Sequence, residues 1–334
     1  MSERRIGQLS FADQVVADAA GGNAVLERVS ALIDWARIVP LLAELRGGKM
    51  GAPGYPSLLL FKALLLQRWY ELSDPAMEEA LRDRLSFRRF VGLPLSEAIP
   101  DHSTIWRFRE AMGPQLCERI FVEIGQQIEH SGFVLKQGTL IDASLIPSAV
   151  NAPRRPDKPL PPDENGRPAS KLVRSERDPD AAWTKKEGKY YFGYKLHAAM
   201  DKTSRIIRRI AFTPANVNES AAADQMICGD EEIVYADKAY DSRARRQRLK
   251  DKGIANGIMR RGHPSQPLTR AEVRRNNRIS KHRGAIEPLF SLFKHVYGFA
   301  RARYRGLARN STAVLLAAVA INLKRWAILS PHPA

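Results

Sequence analysis

The stretch TLIDASLIPS (residues 139–148) decides how the second half of the chain folds. Leu140 and Ile141 favour a buried β-strand, and small and turn-forming residues lead from Asp142 to Pro147. A carboxylate at the end of a buried strand loses its hydration, so Asp142 requires a cation close by. This stretch therefore predicts both a sheet and a charged site at the edge of that sheet.

A second apolar strand, EEIVYADKAYDS (231–242), ends in an acid in the same way, at Asp237. A β-hairpin is predicted from KYYFGYKLHAAMD (189–201) and TSRIIRRIAFTP (203–214). A further short strand is predicted at GIANGIM (253–259). Helical patterns lie between and after these strands, so we predict an α/β fold with a mixed sheet flanked by helices. Open α/β sheets gather their chemistry at the carboxyl ends of the strands, and Asp142 and Asp237 are therefore expected to meet.

A third acid lies in the helical stretch RGAIEPLFSLFK (283–294). Arg283, Glu287 and Lys294 are spaced by four and then seven residues, which places them within about 40° of one another on one helical face. Pro288 disfavours helical geometry at Glu287, and the helix is most easily accommodated if it begins near Gly284. A solvent-exposed row of ion pairs is the alternative interpretation.

Three carboxylates around one point repel one another unless hard cations neutralise them. Mg²⁺ takes such oxygen ligands, and two ions about 3.5–4 Å apart catalyse phosphodiester chemistry. The sequence therefore predicts a Mg²⁺ site at Asp142, Asp237 and Glu287, with Mn²⁺ as a substitute.

The charge of the chain favours a polyanionic partner. The chain has 53 basic and 36 acidic residues, a net charge of +17. Residues 260–309 contain 13 Lys and Arg against two Asp and Glu, a net of +11, so much of the excess surrounds the third acid. Such an excess favours nucleic acid as the partner, and a merely basic soluble protein is the alternative.

The cysteines and apolar runs narrow the class of protein further. Cys117 and Cys228 form neither a disulfide framework nor a zinc motif, which favours a reducing, cytoplasmic location. The runs LLLFKALLL (58–66) and AVLLAAVAINLKRWAIL (313–329) carry charged residues and are predicted as buried helices rather than membrane spans. The sequence contains no nucleotide-binding loop, so no ATP dependence is expected.

Residues 1–130 predict an all-helical, helix-turn-helix-like DNA-binding domain. Its last part, PDHSTIWRFREAMG (100–113), predicts a helix capped by Ser103 or Thr104. The candidate DNA contacts on this helix are Trp106, Arg107 and Arg109. The alternative is a helical domain in which the aromatic residues belong to the core.

Residues 131–334 are assigned to the catalytic domain, with a Pro- and Arg-rich insert at about residues 147–188. The insert predicts either an extended arm that grips DNA or a solvated linker. In the strand that follows, alternation places Lys195 and His197 on one face and Tyr194 on the other. Lys195 and His197 are candidates for contact with the acids or DNA, and ordinary sheet packing is the alternative.

The chain resembles bacterial DDE-type insertion-sequence transposases, in the group named for insertion sequence five. The resemblance rests on seven stretches in order: YPSLLLFKALLLQRWYELSD, GLPLSEAIPDHSTIWRFR, TLIDASLI, DPDAAWTKKEGKYYFGYKLHAAMD, ANVNES, ADKAYDS and RGAIEPLFSLFK. It implies an RNase H-like core with Asp142, Asp237 and Glu287 as the catalytic and metal-binding acids. It also implies that Arg283 and Lys294 contact DNA phosphates. The family's pattern has a tyrosine where this chain has Ser280.

The function implied is a transposase that binds terminal inverted repeats, cleaves at the ends and transfers the 3′ ends to target DNA, as a homodimer on DNA. Two alternatives remain at this point. One is a Mg²⁺-dependent nuclease without strand transfer, which would not need the N-terminal helical domain. The other is an inactive, DNA-binding repressor copy, which would not need the three acids.

Overall fold

The structure, a computed structural model, describes residue 6 and residues 23–46, 54–153, 177–263 and 265–330. The chain divides into two compact units. One comprises residues up to Phe133 together with those from Thr312 onward, and the other runs from Val134 to Ser311. Sequence order assigns the last helix to the catalytic domain, whereas in the structure most of this helix groups with the N-terminal unit.

The first unit is helical, as the sequence predicts. Its helices are α1 (Ala24–Leu32), α2 (Val39–Ala43), α3 (Ser57–Tyr70), α4 (Asp74–Asp83), α5 (Leu85–Val91), α6 (His102–His130) and most of the C-terminal helix (Leu307–Leu329). Ser73 caps α4 by accepting a hydrogen bond from the Ala76 backbone N–H at 3.2 Å. The cap of α6 is Asp101, not Ser103 or Thr104, because the Asp101 carboxylate accepts from the Thr104 N–H at 2.6 Å.

The C-terminal helix is long and apolar enough to cross a membrane by composition, but 78% of its most apolar window is buried inside the protein. Trp69 of α3 donates a hydrogen bond from Nε1 to the Ala320 carbonyl at 2.8 Å. Arg28 of α1 donates to the Ala327 carbonyl at 2.9 Å. The helix is therefore a core element of the first unit, as predicted for a buried apolar run.

The second unit is built on a six-stranded mixed sheet. Its strands are β1 (Thr139–Pro147), β2 (Ala182–Lys186), β3 (Lys189–Asp201), β4 (Ile207–Pro214), β5 (Ile233–Ala236) and β6 (Ala255–Ile258). Its helices are α7 (Glu219–Met226), α8 (Arg243–Asp251), α9 (Arg270–Arg283) and α10 (Glu287–His295). The order of the sheet is β2-β3-β1-β5-β6, with β4 also paired to β3, and this confirms the predicted α/β class.

Strand β1 is the centre of this sheet. It pairs antiparallel with β3 and parallel with β5, and β5 pairs parallel with β6. Strands β3 and β4 form the predicted hairpin. The parallel strands β1 and β5 therefore point their carboxyl ends toward the same edge of the sheet. Asp237 directly follows β5, as predicted, but β1 continues to Pro147, so Asp142 lies within its strand and not at the end.

One face of the sheet is covered by α7 and α8. The cluster there joins strand, helix and turn side chains: Ile141, Ala199, Ala223, Met226, Val234, Ala236, Tyr240, Leu249, Ile254 and Ile258. Burial of this apolar set holds α7 against the centre of the sheet. Since side chains alternate along a strand, Asp142 lies on the opposite face from Ile141.

The helix that carries the third acid differs from the prediction. The single helix expected at about residues 278–297 is two helices, α9 and α10, separated by a 3-10 turn at Gly284–Ile286. Pro288 explains the break, since it lies in the first turn of α10, where its missing N–H is not needed. Arg283 is consequently the last residue of α9 and Glu287 the first residue of α10.

The predicted insert is structured at its C-terminal end, while residues 154–176 lie outside the described residues. Strand β2 pairs with the first part of β3, and Trp183 packs against Phe192 with ring centroids 5.4 Å apart. Asp178 is fully buried and accepts hydrogen bonds from the Ser148 and Tyr194 hydroxyls. Residues from Asp178 to Lys186 are therefore part of the sheet and its support, which corrects the prediction of an arm extending to residue 188.

Candidate active site

The register of the sheet brings Asp142 and Asp237 level with each other. The parallel pairs Thr139–Val234 and Leu140–Tyr235 each differ by 95 in residue number, and Asp142 and Asp237 also differ by 95 (237 − 142). If this register continues, the two acids are at the same height on adjacent chain segments, which are about 4.8 Å apart in a sheet. Strand β5 stops at Ala236, and Asp237 caps the 3-10 turn at Lys238–Tyr240 by accepting from the Lys238 N–H at 2.6 Å.

The cation that Asp142 requires is the Arg283 guanidinium. Nη1 of Arg283 lies 2.7 Å from Oδ2 of Asp142, and Oδ1 accepts from the Ala143 N–H at 2.9 Å. The side chains are 21% and 19% exposed, respectively. Burial raises the pKa of Asp142, the Arg283 charge and the Ala143 hydrogen bond lower it, and the charges of Glu219 and Asp237 raise it. The last helical residue of α9 thus reaches the end of the β1 apolar run.

Glu219, the first residue of α7, is a further carboxylate close enough to influence Asp142. Its Oε1 lies 3.6 Å from the ammonium of Lys195, which also donates to the Val217 carbonyl at 2.9 Å. Lys195 is 9% exposed, so this ion pair is mostly removed from solvent. Lys195 therefore pairs with Glu219, which is not one of the three predicted acids, and is too buried to offer an open DNA-binding surface.

Tyr240 belongs to the buried cluster between the sheet and helices α7 and α8. Its side chain is 1% exposed, and its hydroxyl forms no hydrogen bond with any group of the described residues. Burial raises the pKa of Tyr240, and the charges of Asp142, Glu219 and Asp237 raise it further. A buried hydroxyl without a partner among the described residues is unusual, because buried polar groups normally form hydrogen bonds. Asp142 and Asp237 offer carboxylate oxygens, which are the ligands that Mg²⁺ takes, so their chemistry fits a divalent metal ion.

Glu287 is exposed at the start of α10. Within the described chain, the ligand oxygens of Asp142, Asp237 and Glu287 do not all lie within 4.8 Å of one another. A group that meets this distance is Cys228, Asp230 and Glu231, but its acids are already satisfied. Asp230 is paired with Arg208 and Lys136, and Glu231 accepts three backbone N–H groups.

Lys294 lies on α10 and is partly buried. Burial lowers the pKa of Lys294, and repulsion from the nearby Lys186 ammonium lowers it further. No acid among the described residues forms an ion pair with Lys294. Two neighbouring lysines without an acid between them favour the binding of an anion.

His197 is fully buried in β3, where Nε2 lies 3.0 Å from the Thr213 hydroxyl. Burial lowers the pKa of His197 to about 4, and the Lys195 charge contributes. The imidazole is therefore neutral at pH 7 and packed within the sheet, as in the alternative interpretation of this strand. A direct DNA contact by His197 is incompatible with that burial.

The candidate DNA contacts of the first unit separate into two groups. Trp106 is 46% exposed and Arg107 is exposed, with its guanidinium bonded to the Ser103 hydroxyl at 2.6 Å. Arg109 is 7% exposed and forms a two-point ion pair with Asp74, at 2.6 and 2.9 Å. Arg109 therefore joins α6 to α4, and its burial is incompatible with the DNA contact predicted for it.

Comparison with protein families identifies the chain. Residues 135–323, more than half of the chain, match the family described as "Transposase DDE domain", and residues 15–111 match "Transposase domain (DUF772)". The chain belongs to the DDE-domain transposase family, which makes it a metal-dependent enzyme that acts on DNA. The helical unit followed by a mixed sheet flanked by helices is an RNase H-like arrangement, as the resemblance implies.

Among solved structures, the chain is similar to a piggyBac transposase in a "synaptic complex with hairpin DNA" determined by cryo-electron microscopy. The sequences are 11% identical, and the TM-score is 0.41. The similarity covers 86% of this chain and 70% of the piggyBac chain.

Two residues of the site were not predicted as such. Glu219 begins a helix that the sequence does predict, but nothing in its spacing distinguishes it from an ordinary acid in a first helical turn. Tyr240 follows Asp237 by three residues and resembles a core aromatic. Only the folded structure brings both residues within electrostatic reach of Asp142.

Proposed function

We propose that this chain is the transposase of an insertion sequence, of the group named for insertion sequence five. It binds the terminal inverted repeats of its element, cleaves the DNA at the ends and transfers the 3′ ends to target DNA. The reaction uses two Mg²⁺ ions, for which Mn²⁺ substitutes, and it takes place in the cytoplasm. The protein acts as a homodimer on DNA, since two ends require coordinated cleavage.

The observation that supports this proposal most is the level placement of Asp142 and Asp237 on adjacent parallel segments. We assign them as shared ligands of the metal ions and Glu287 as a ligand of the second ion. Bound divalent ions supply activation of the attacking oxygen and stabilisation of the leaving oxygen. Glu287 begins α10 directly after the 3-10 turn at Gly284–Ile286, and that turn follows Arg283, the partner of Asp142.

The basic side chains around the acids are assigned to the DNA backbone. Arg283 holds Asp142 in the structure, and we assign it to a phosphate next to the cleaved bond when DNA is bound. Lys294, together with Lys186, is assigned to a neighbouring phosphate. In the first unit, the exposed Trp106 and Arg107 are assigned to recognition of the terminal repeat.

The test is to incubate the purified protein with DNA carrying its element's ends and Mg²⁺, and to map the broken and the joined bonds. We expect cleavage at the ends and, from pre-cut ends, products joined to a target plasmid. Cleavage without joining would identify a nuclease, and binding without cleavage would identify a repressor. Asp142→Asn, Asp237→Asn and Glu287→Gln should each abolish cleavage while end binding persists, because affinity comes mainly from phosphate contacts.

Glu232→Gln is the matched control, because Glu232 is an exposed acid of the same unit. It should cleave like the wild type. Near-normal cleavage by any one of the three acid variants would show that its acid is not a metal ligand.

A further inference from the structure

We propose that the exposed side of α9 is an additional DNA-binding surface, which holds the phosphate backbone of a duplex next to the active site. This surface, the α9 basic face, consists of Arg270, Arg274, Arg278 and Lys281. The inference rests on the proposed function, because it assigns further contacts to the same DNA substrates. The α9 basic face contains none of the DNA contacts predicted from the sequence.

The four residues of the α9 basic face lie on one side of the helix. They are spaced by four, four and three residues (274 − 270, 278 − 274, 281 − 278). At about 100° per residue, this spacing places them within about 80° of one another. All four are exposed. Like charges at such spacings repel one another and destabilise a helix, so the arrangement favours a polyanionic partner.

No acid of the described residues neutralises this face. Within that part of the chain, none of its four side chains forms an ion pair or a hydrogen bond. Glu272 is the only acid in the sequence of α9, and it lies about 120–160° around the helix from the face. Its carboxylate is already engaged, since it accepts from the Thr269 N–H and the Thr269 hydroxyl, each at 3.0 Å. The four positive charges therefore remain available to an external anion.

The opposite side of α9 is fixed to the second unit. Asn276 accepts from the Arg260 N–H at 2.8 Å and donates to the Arg260 carbonyl at 3.0 Å. Arg275 donates to the Ile258 carbonyl of β6 at 2.9 Å, and Ile279 is buried. These contacts hold the helix in one rotation, so the α9 basic face points away from them. A surface fixed in this way binds without the cost of ordering a helix.

The α9 basic face leads along the helix axis to the active site. Lys281 is followed two residues later by Arg283, whose Nη1 lies 2.7 Å from Oδ2 of Asp142. At a rise of about 1.5 Å per residue, Arg270 and Lys281 are about 17 Å apart along the axis. A duplex carries about one charge per 1.7 Å of its length, so about ten phosphates face a surface of this length. Each of the four cations can therefore contact a phosphate of DNA that passes the Arg283 end of α9.

The experiment measures the salt dependence of DNA binding by the full chain, without divalent metal ions, by fluorescence anisotropy. In the first arm the probe is a labelled duplex of the element's end. In the second arm a labelled duplex of unrelated sequence, which represents target DNA, is added to protein saturated with unlabelled end duplex. The α9 variant carries three changes together: Arg274→Gln, Arg278→Gln and Lys281→Gln.

The matched control removes the same charge from α8 and the residue after it, all at exposed positions: Arg243→Gln, Lys250→Gln and Lys252→Gln. Helix α8 covers the Ile141 face of the sheet, whereas α9 reaches Asp142 on the other face. The control therefore separates the position of the lost charges from their number.

We expect the plot of log affinity against log salt concentration to become shallower by about 2.7 (0.9 × 3) in the α9 variant. A fourfold rise in salt concentration should accordingly weaken the wild type about 40-fold more than the α9 variant. The α8 control should keep the wild-type slope. Replacing Arg274 and Arg278 with lysine should also keep it, because the charge is conserved.

The two arms identify which DNA occupies the surface. A shallower slope in the first arm assigns the α9 basic face to the element's ends, and a shallower slope in the second arm assigns it to target DNA. Thermal unfolding verifies that the α9 variant is folded. If it is not, Arg278→Gln alone is measured, with an expected change in slope of about 0.9.

Unchanged slopes in both arms, or an equal change in the α8 control, would overturn the inference. Cleavage of the element's ends by the wild type would then leave the proposed function standing. A wild type that neither binds nor cleaves these ends would overturn the proposed function and the inference together.

Discussion

Replacing Arg283 with alanine should destabilise the protein at neutral pH and much less at acid pH. The substitution removes the 2.7 Å contact to Asp142 and leaves that carboxylate largely buried without its cation. Hydrogen bonds to charged groups contribute about 1.5–3 kcal/mol, which sets the expected loss in the free energy of unfolding. For a unit of this size, that loss corresponds to a decrease in Tm of about 3–12 °C.

The pH dependence follows from the Asp142 carboxyl. Its pKa in the folded protein is raised by burial, and Arg283 is the largest opposing influence, so the variant should have a still higher pKa. A group whose folded pKa lies above its unfolded value makes the protein lose stability as pH rises through that interval. The cost of Arg283→Ala should therefore grow as pH rises above about 4, the ordinary value for Asp, and should nearly vanish below it.

The assay is urea-induced unfolding of Arg283→Ala and the wild type between pH 4 and pH 8. Arg278→Ala is the matched control, because Arg278 is an exposed residue of the same helix, and it should stay within about 0.5 kcal/mol of the wild type. When Asp142 is already replaced by asparagine, Arg283→Ala should reduce the free energy of unfolding by less, since the negative charge that Arg283 pairs with is absent. An equal cost at pH 4 and pH 8 would refute the assignment of Arg283 as the partner of the Asp142 charge.

Three further predictions follow from buried or unpaired side chains. Arg109→Ala should lower the free energy of unfolding by about 3–5 kcal/mol in urea unfolding, because it removes the buried two-point ion pair with Asp74. Unchanged stability with weaker DNA binding would restore Arg109 as a DNA contact. The wild type should lose up to about 3 kcal/mol of stability as pH falls from 6.5 to about 4, because the His197 imidazole is protonated in the unfolded chain and neutral in the folded protein over that interval. His197→Gln should not show this loss. Equal acid sensitivity of the two proteins in urea unfolding would contradict the prediction. Phe293→Ala should lower the free energy of unfolding by about 3–5 kcal/mol, because Phe293 is fully buried. Lys294→Ala should unfold at the same temperature as the wild type yet cleave DNA poorly. The reverse pattern in thermal unfolding would show that the buried and the DNA-facing sides of α10 are wrongly assigned.

The position of Asp142 relative to Asp237 could be predicted from the sequence because two local signals agree. Each acid follows a short apolar run, and β1 and β5 run parallel, although β1 continues beyond Asp142 to Pro147. The structure confirms the sheet, the hairpin around Asp201 and the buried C-terminal helix. These features depend on patterns within a few residues of one another, which a single sequence displays directly.

The remaining features depend on contacts between distant residues. Arg109 has the composition of a DNA contact, but it is buried because Asp74, 35 residues earlier, lies opposite it. Pro288 indicates a helix boundary, yet only the structure shows a 3-10 turn between two helices. Glu219 resembles any acid in a first helical turn until Arg245 is seen to hold that turn beside Tyr240. Tertiary pairing of this kind leaves no periodic signal in the sequence.

The pair between Arg283 and Asp142 links DNA binding to metal binding under the proposed function. Arg283 occupies Oδ2 of Asp142, and the Ala143 N–H occupies Oδ1, so both oxygens are engaged in the structure. A phosphate that takes Arg283 would release one of these oxygens for a metal ion, and a metal ion at Asp142 would release Arg283 for a phosphate. Bound phosphate should therefore raise the affinity of the protein for the metal ion, and the bound metal ion should raise its affinity for phosphate by the same factor. Arg283→Ala should then reduce this coupling in either order of addition, because Asp142 would be free before DNA arrives.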